Sequence, residues 1–277
     1  MLTIACNGCG KAAPLIHNVL HEERNMSWDK TASEFDSFAE DYARFIVEDQ
    51  GMPPVNPGCQ AAIDRLKPET VLDCACGQGR SSIALKKAGF EVHGSDISPE
   101  MIRLARGNAR KAGLRIPFTV AAWHELPAKV TQRFDFVMCH GNAIGHCHGE
   151  RDMVQSLQAI RQVTRDGGYF YLDTRSWEWF RTTSALWWPG KSQHDPSGHH
   201  TIIFHATIPR KWSSPHVIEV IHTTENQGQM KVEAHPVTFY AFKISELFSR
   251  LRDAGFDKIE TNYKKGMANY WVLAEGV

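Results

Sequence analysis

The spacing of apolar residues divides this chain into segments of different character. From Trp28 to Asp49, the residues Phe35, Phe38, Tyr42, Phe45 and Ile46 recur at helical intervals, which predicts an amphipathic helix covering another part of the molecule. Gly51 to Gly58, with three prolines, ends it in a loop, and Gln60 to Leu66 reads as a short helix. Strand and helix patterns then alternate as a parallel sheet requires. Thr70–Ala75, Glu91–Ser95, Pro117–Ala121, Phe134–Cys139 and Tyr169–Asp173 read as five strands. Arg80–Ala88, Pro99–Ala112 and Met153–Thr164 read as helices between them, with a turn at Arg165-Asp-Gly-Gly168.

The rhythm changes after the fifth strand. A loop rich in Trp, Gly and His precedes three runs, Thr201–Thr207, His216–Thr223 and Met230–Phe242, which read as antiparallel strands. They predict a cap over the carboxyl ends of the main sheet. Ser245–Ala254 reads as a helix capped by Ser245, and strands near Lys258–Tyr263 and Tyr270–Glu275 close the sheet. The expected fold is therefore α/β, with helices on both faces of the sheet and an antiparallel β cap inserted after the fifth strand. Residues 1–27 are expected as an N-terminal tail and 28–277 as one domain, with the cap at about 181–242.

Composition narrows the partners. In 277 residues, 31 acidic and 31 basic side chains balance, with no basic stripe of the kind that nucleic acid demands. A small-molecule substrate fits better. No apolar run approaches the roughly 18 residues of a membrane helix, and the N-terminus lacks a secretory core. Seven scattered cysteines, an odd number, point to reduced thiols and a cytoplasmic setting. Cys6-Asn-Gly-Cys9 is half of a zinc knuckle that His17 and His21 could complete, but no second CxxC follows. The expectation there is a loose tail without metal, since helix patterning starts only after Met26.

The chemistry concentrates in Val71-Leu-Asp-Cys-Ala-Cys-Gly-Gln-Gly-Arg80, a buried strand running into a glycine turn and a helix. Gly77 and Gly79 are expected to let the backbone approach a ligand, with the helix N-terminus behind them. Asp96, 17 residues beyond Gly79 at the next strand end, is placed to accept two ribose hydroxyls. Ser98-Pro99-Glu100 then starts a helix, Ser as cap and Pro in the first turn. Dinucleotide folds use similar turns, but their third glycine is here Ser82. Asp73, inside the turn, would repel a pyrophosphate and suit a cationic amino group.

In order and spacing, the run from Asp73 to Ala105 resembles the class I (Rossmann-like) S-adenosylmethionine-dependent methyltransferases, and the resemblance extends over roughly residues 30 to 277. It implies S-adenosylmethionine as cofactor. Its methionine end would lie on the turn, with Cys74 nearby, and its ribose on Asp96 beside Ile97. After the third strand, where the family commonly carries an acidic or amide side chain near adenine, this chain has Ala122. The backbone N–H of Ala122 and the ring of Trp123 are left for that work.

Two further runs resemble the glycine and sarcosine N-methyltransferase group. Gly141, Asn142 and His146 match that group's Gly-Asn-x-x-x-His run after the fourth strand, and Arg175 matches its arginine after the fifth. The resemblance implies that Arg175 binds the substrate carboxylate, that Asn142 lies beside it and that His146 lies near the cofactor. A guanidinium fork suits a carboxylate, and ligands of open α/β sheets gather at these strand ends. The departures are Thr174, Ser176 and Trp177 around the arginine, and His140 where the group has leucine. Tyr42 and Tyr240 are the aromatic candidates for caging the sulfonium and the acceptor amine, with Trp187 and Trp188 in the cap loop.

The leading expectation is N-methylation of a small amino acid or amine bearing a carboxylate. The catalytic set is then Asn142, Arg175, Tyr240 and His140, with His140 also beside the cofactor. The alternative is a natural-product O-methyltransferase with His140 or His146 as base. His146-Cys147-His148 does not read as a metal site, because neighbours on a strand end point to opposite sides. A nucleic-acid methyltransferase would show Asn/Asp-Pro-Pro-aromatic after the fourth strand, where Cys139-His-Gly-Asn142 stands. A non-catalytic cofactor binder would not be expected to keep the intact turn. The lead segment offers a surface for a homo-oligomer.

Overall fold

The computed structural model describes residues 27–37, 39, 53–182, 187–194, 200–207, 216–226 and 229–277, with the backbone alone at 182, at 230 and in the strands between 187 and 226. Helix α1 spans Trp28–Asp36 and α2 spans Pro57–Leu66. The alternating core follows as β1 (Thr70–Asp73), α3 (Arg80–Lys87), β2 (Glu91–Asp96), α4 (Pro99–Lys111) and β3 (Phe118–Val120). A 3-10 turn and α5 (Leu126–Lys129) lead to β4 (Phe134–Cys139). Helix α6 (Glu150–Val163) and β5 (Thr164–Arg175) complete the parallel part. After α7 (Trp177–Thr182) come β6 (Trp187–His194), β7 (His200–Thr207), β8 (His216–Asn226) and β9 (Gln229–Phe239). The chain closes with α8 (Ile244–Asp253), β10 (Phe256–Thr261) and β11 (Asn269–Gly276).

Seven strands form one sheet in the order β10-β11-β5-β4-β1-β2-β3. The five from β3 to β5 are mutually parallel, and β11 lies antiparallel between β5 and β10. Alternate side chains sort onto two faces. Leu72, Val137, Cys139, Phe170 and Leu172 pack with the residues of α6 and α8. Val71, Phe136, Met138 and Tyr171 pack with Cys59 and Ile63 of α2 and Leu85 of α3. Strands β6 to β9 form a separate four-stranded antiparallel sheet, the expected cap.

Local chemistry explains most boundaries. Ser98 caps α4 by accepting from the Met101 N–H at 3.0 Å, with Pro99 in the first turn. Four expectations are corrected. Arg165–Gly168 is not a turn before a strand but an irregular stretch within β5, since Phe134 pairs with Thr164 and Phe136 already with Tyr169. Arg133 and Arg161 both donate to the Thr164 carbonyl there, at 3.0 Å each, and so hold the bulge. Ser245 does not cap α8. The helix begins one residue earlier, because the Glu246 carboxylate folds back to accept from the Lys243 N–H at 2.9 Å. The region read as a Trp-, Gly- and His-rich loop contains a fourth cap strand, β6. Helix α2 starts at Pro57, capped by Asn56, rather than at Gln60. Beyond Ala39, the lead helix expected to reach Asp49 lies outside the described residues, as does the Cys6/Cys9 tail.

Candidate functional site

A cavity of about 430 Å3 opens at the carboxyl ends of β1, β2, β4 and β5. Trp28, Thr31 and Phe35 of α1 close one side of it, and the loop from Pro53 to Pro57 closes another. Helix α1 is tied down on three sides. Thr31 Oγ1 and His148 Nε2 share a hydrogen bond of 2.8 Å. Glu34 accepts from the Thr238 N–H at 3.2 Å and from its hydroxyl at 3.0 Å. Asp36 accepts from the Ser98 hydroxyl and the Glu100 N–H at the start of α4. The covering helix was legible from its spacing. Trp28 and Thr31 were missed as site residues, although Trp28, Thr31 and Phe35 fall three and four apart on one helical face.

The two turn glycines have different jobs. Gly77, at φ +50°, lines the cavity, and a Cβ there would meet nothing within 4 Å. Its N–H donates to Asp96 Oδ2 at 2.8 Å, and the Ser98 N–H donates to Oδ1 at 3.0 Å. The Asp96 carboxylate is thereby aimed at the cavity, and burial raises its pKa to about 6 against the pull of those donors. Gly79, at φ +83°, does not line the cavity. A Cβ there would stand 3.1 Å from Ala105 Cβ and Phe118 Cζ, so this glycine serves close packing instead of ligand approach.

Asp73 is likewise not in the cavity wall. It is fully buried and accepts from the Ser82 hydroxyl at 2.8 Å. The serine that replaces a third glycine thus ties one oxygen of the acid to the turn. Burial raises its pKa, and its second oxygen, Oδ1, has no hydrogen-bond partner. The adenine expectation also changes. Cys74, Ile97, Ala122 and Trp123 all line the cavity, but the Ala122 N–H is taken by Glu125 Oε2 at 2.9 Å. What remains is the Trp123 ring, fixed by its indole N–H on the Cys74 carbonyl at 2.7 Å and edge-on to Trp28.

At the ends of β4 and β5, Asp173 joins the site, a residue whose role the sequence did not show. It lines the cavity, and its carboxylate accepts from His140 Nδ1 at 2.9 Å, the Gly141 N–H at 2.7 Å and the Asn142 N–H at 3.3 Å. Burial opposes charge on His140, but the hydrogen bond to the Asp173 carboxylate outweighs it and raises the imidazole pKa well above its ordinary value. His140 is therefore held as a donor and not as a base. His146 lines the cavity in the opposite state. Its Nδ1 donates to the Thr238 carbonyl at 2.9 Å, and burial, with Arg175 nearby, lowers its pKa to about 4. It is neutral and a weak base, so neither histidine favours the oxygen-acceptor alternative.

Asn142 and Arg175 sit beyond the cavity wall. Asn142, at φ +63°, turns its carbonyl to the Thr174 hydroxyl at 2.8 Å and the Arg175 N–H at 2.9 Å. Its amide nitrogen alone is left, buried and without a partner. The Arg175 guanidinium lies 5.4 Å from the Phe180 ring centre and 5.2 Å from that of Phe239. Phe239, not Tyr240, is the aromatic at this point, since successive strand residues face opposite ways. Tyr240 is half-buried against His148 and outside the cavity wall. Tyr42 lies outside the described residues, as do the side chains of Trp187 and Trp188. Among the described residues, no group of three or more His, Cys, Asp or Glu side chains could hold a metal ion.

Residues 71–168 match a family described as a methyltransferase domain. This segment is a methyltransferase domain of the S-adenosylmethionine-dependent class. The methyltransferase domain and its flanks are 36% identical over 109 residues to the glycine/sarcosine N-methyltransferase of Parasynechococcus marenigrum, covering 39% of each chain. They are 34% identical over 135 residues to the glycine N-methyltransferase of Oryctolagus cuniculus, covering 44% of this chain and 45% of that one. The alignments thus span less than half the length of these relatives. The crystal structure of an S-adenosylmethionine-dependent methyltransferase from Clostridium acetobutylicum superposes with a TM-score of 0.70 at 16% identity, over 87% of this chain and 98% of that one. The methyltransferase fold therefore extends well beyond residues 71–168. No helix among the described residues is long and apolar enough to cross a membrane.

The cavity fits the cofactor of this class. Gly77 leaves a cradle that a Cβ would fill, Asp96 presents a fixed carboxylate for a diol, and Trp123 supplies a flat apolar wall. The volume lies in the range typical of small-molecule pockets, roughly 300–1,000 Å3.

Proposed function

We propose that this protein methylates the nitrogen of a small amino acid or amine that bears a carboxylate, using S-adenosylmethionine. Bound in the cavity, that cofactor supplies an electrophilic methyl carbon on a sulfonium. The observation that carries the reading is Arg175, whose guanidinium lies within 5.4 Å of the Phe180 and Phe239 ring centres at the end of β5. A guanidinium fork matches the two oxygens of a carboxylate. The relatives of the domain, named as glycine and glycine/sarcosine N-methyltransferases, support the same acceptor class.

In this reading Gly77, Cys74, Asp96, Ile97, Ala122 and Trp123 hold the cofactor, with Asp96 accepting the ribose hydroxyls. His146 and His140 face it from the acceptor side. Arg175 fixes the carboxylate, and the Asn142 amide nitrogen donates beside it. Helix α1 keeps water out. Orientation then supplies most of the rate, as an in-line displacement needs little else from the protein. The amine gives up its proton to water before attack. Residues 28–277 act as one unit, the cap closing over the acceptor, and the reaction belongs in the cytoplasm.

The test is a product screen by mass spectrometry with glycine, sarcosine and simple amines, with the cofactor supplied. We expect a methylated carboxylate-bearing amine. Arg175→Ala should cost that substrate about 100-fold in kcat/KM, as for the loss of one partner from a buried charge pair, while S-adenosylhomocysteine binds as before. An unchanged acceptor KM in Arg175→Ala would rule the carboxylate clamp out.

A further inference from the structure

His140 lines the cavity, but the reading above gives its ring no bond to make. Its ring is clamped at one end, and the Cys59 thiol lies near it. Nδ1 bonds to Asp173 Oδ2 at 2.9 Å, and that carboxylate is itself fixed by two backbone N–H groups. Since a carboxylate can only accept, Nδ1 carries a proton in every state of the ring. The other nitrogen, Nε2, is buried and has no hydrogen-bond partner, in a residue that lines the cavity. The Tyr171 ring lies 5.8 Å away, which favours a cation at this place. A buried N–H donor without an acceptor is destabilising. A ligand oxygen reaching it would recover that loss.

We propose that His140, held by Asp173, is a binding residue for a carboxylate in the cavity. Two ligands can bring one: the methionine end of the cofactor, and the methyl acceptor. The second source rests on the acceptor class proposed above, and the first does not. In either case the bond formed is charge-assisted, from Nε2–H of an imidazolium to a carboxylate oxygen. Asp173 is then a positioning residue, because it sets the ring and sustains its charge without touching the ligand's carboxylate. Cys59, buried on α2, has its thiol pKa raised by burial, so it does not supply a competing anion.

The experiment uses matched pairs of ligands that differ in the carboxylate. Titration calorimetry compares S-adenosylhomocysteine with 5′-methylthioadenosine on the protein alone. It then compares sarcosine with dimethylamine on protein saturated with S-adenosylhomocysteine. In His140→Leu, affinity for the carboxylate-bearing member of one pair should fall at least tenfold and its partner less than twofold. His140→Gln, which keeps a donor, should lose less than half as much on a logarithmic scale. A loss on S-adenosylhomocysteine assigns the contact to the cofactor, and a loss on sarcosine assigns it to the acceptor. Equal losses on both members of each pair, or none in either pair, overturn the proposal. If wild-type protein binds no sarcosine, the acceptor reading fails, while the first pair still decides the role of His140.

Discussion

The side-chain carbonyl of Asn142 accepts from the backbone N–H of Arg175 at 2.9 Å, so the loop after β4 sets the height of the arginine on β5. The relationship is mutual, as Asp173 beside Arg175 accepts from the N–H groups of Gly141 and Asn142. Each strand end is fastened by a side chain from the other. The Asn142 carbonyl is therefore a structural group, and its amide nitrogen is the half free for a ligand.

Separating those halves gives the first prediction. Asn142→Asp keeps an acceptor for Thr174 and Arg175, whereas Asn142→Ala loses both bonds and puts at φ +63° a residue that tolerates the left-handed region less well than Asn or Asp. Two buried groups left unpaired and a left-handed backbone together should cost about 3–5 kcal/mol. Denaturant melts should show Asn142→Ala to be the less stable of the two. Equal stabilities would mean that the clasp carries no weight.

Gly77 and Gly79 should separate in the same way. Gly79→Ala drives a Cβ to 3.1 Å from Ala105 and Phe118, so it should lower stability by about 2–4 kcal/mol through overpacking and backbone strain. Gly77→Ala meets open cavity, and only the backbone term of about 1–2 kcal/mol should appear in the melt. Its main effect should be on S-adenosylhomocysteine, weakened at least tenfold in a titration. Matching effects of the two substitutions on both readouts would refute the division of labour.

A third prediction concerns pH. Asp96 is ionised above about pH 6, and only the ionised form accepts two hydroxyls. Because its pKa is raised, affinity for S-adenosylhomocysteine should be level above pH 7 and fall as pH drops through 6. At pH 5 the loss should be about tenfold, one decade per unit below the pKa. In Asp96→Asn the profile should be flat over this range, at a weaker affinity. A wild-type profile that is flat from pH 7.5 to 5 would contradict the assignment.

Helix α1 gives a fourth. Glu34 ties it to Thr238 at the end of β9 through two bonds. Glu34→Ala should leave the melting temperature within a few degrees, since the bonds are partly exposed, but it should loosen the cover. S-adenosylhomocysteine should leave at least five times faster in stopped-flow displacement, and amides of 28–36 should exchange faster. An unchanged release rate would show that α1 does not gate the cavity.

Much of this was legible in the sequence, for reasons tied to particular residues. The core strands could be read because Val71-Leu72 and Phe134 to Cys139 are buried on both faces, and Ser98-Pro99 announces its own helix. The bulge in β5 was not legible, because Asp166-Gly-Gly168 looks the same in a turn as in a strand bent by distant arginines. Asp73 and Ala122 show the same limit within the site. Sequence spacing placed each beside the ligand, but Ser82 holds one oxygen of Asp73 and Glu125 takes the N–H of Ala122. Asp173 went unread because its partners arrive from another strand, and no local pattern marks a carboxylate that accepts three bonds from the loop beyond.

The antiparallel strand β11 bears on how the enzyme is made. Its residues Asn269 to Glu275 pair with Arg175 to Tyr169, and Tyr169 and Glu275 are 106 positions apart. During synthesis, β5 and the cap leave the ribosome well before this partner exists, so the flank of β5 stays open until residues 269 to 275 emerge. Contacts this distant in sequence form slowly and expose strand edges meanwhile. Arg175 itself pairs with Asn269, so the end of β5 that carries it is completed only after residue 269 is made. A nascent chain stalled before residue 269 should therefore bind S-adenosylhomocysteine before it can discriminate any acceptor.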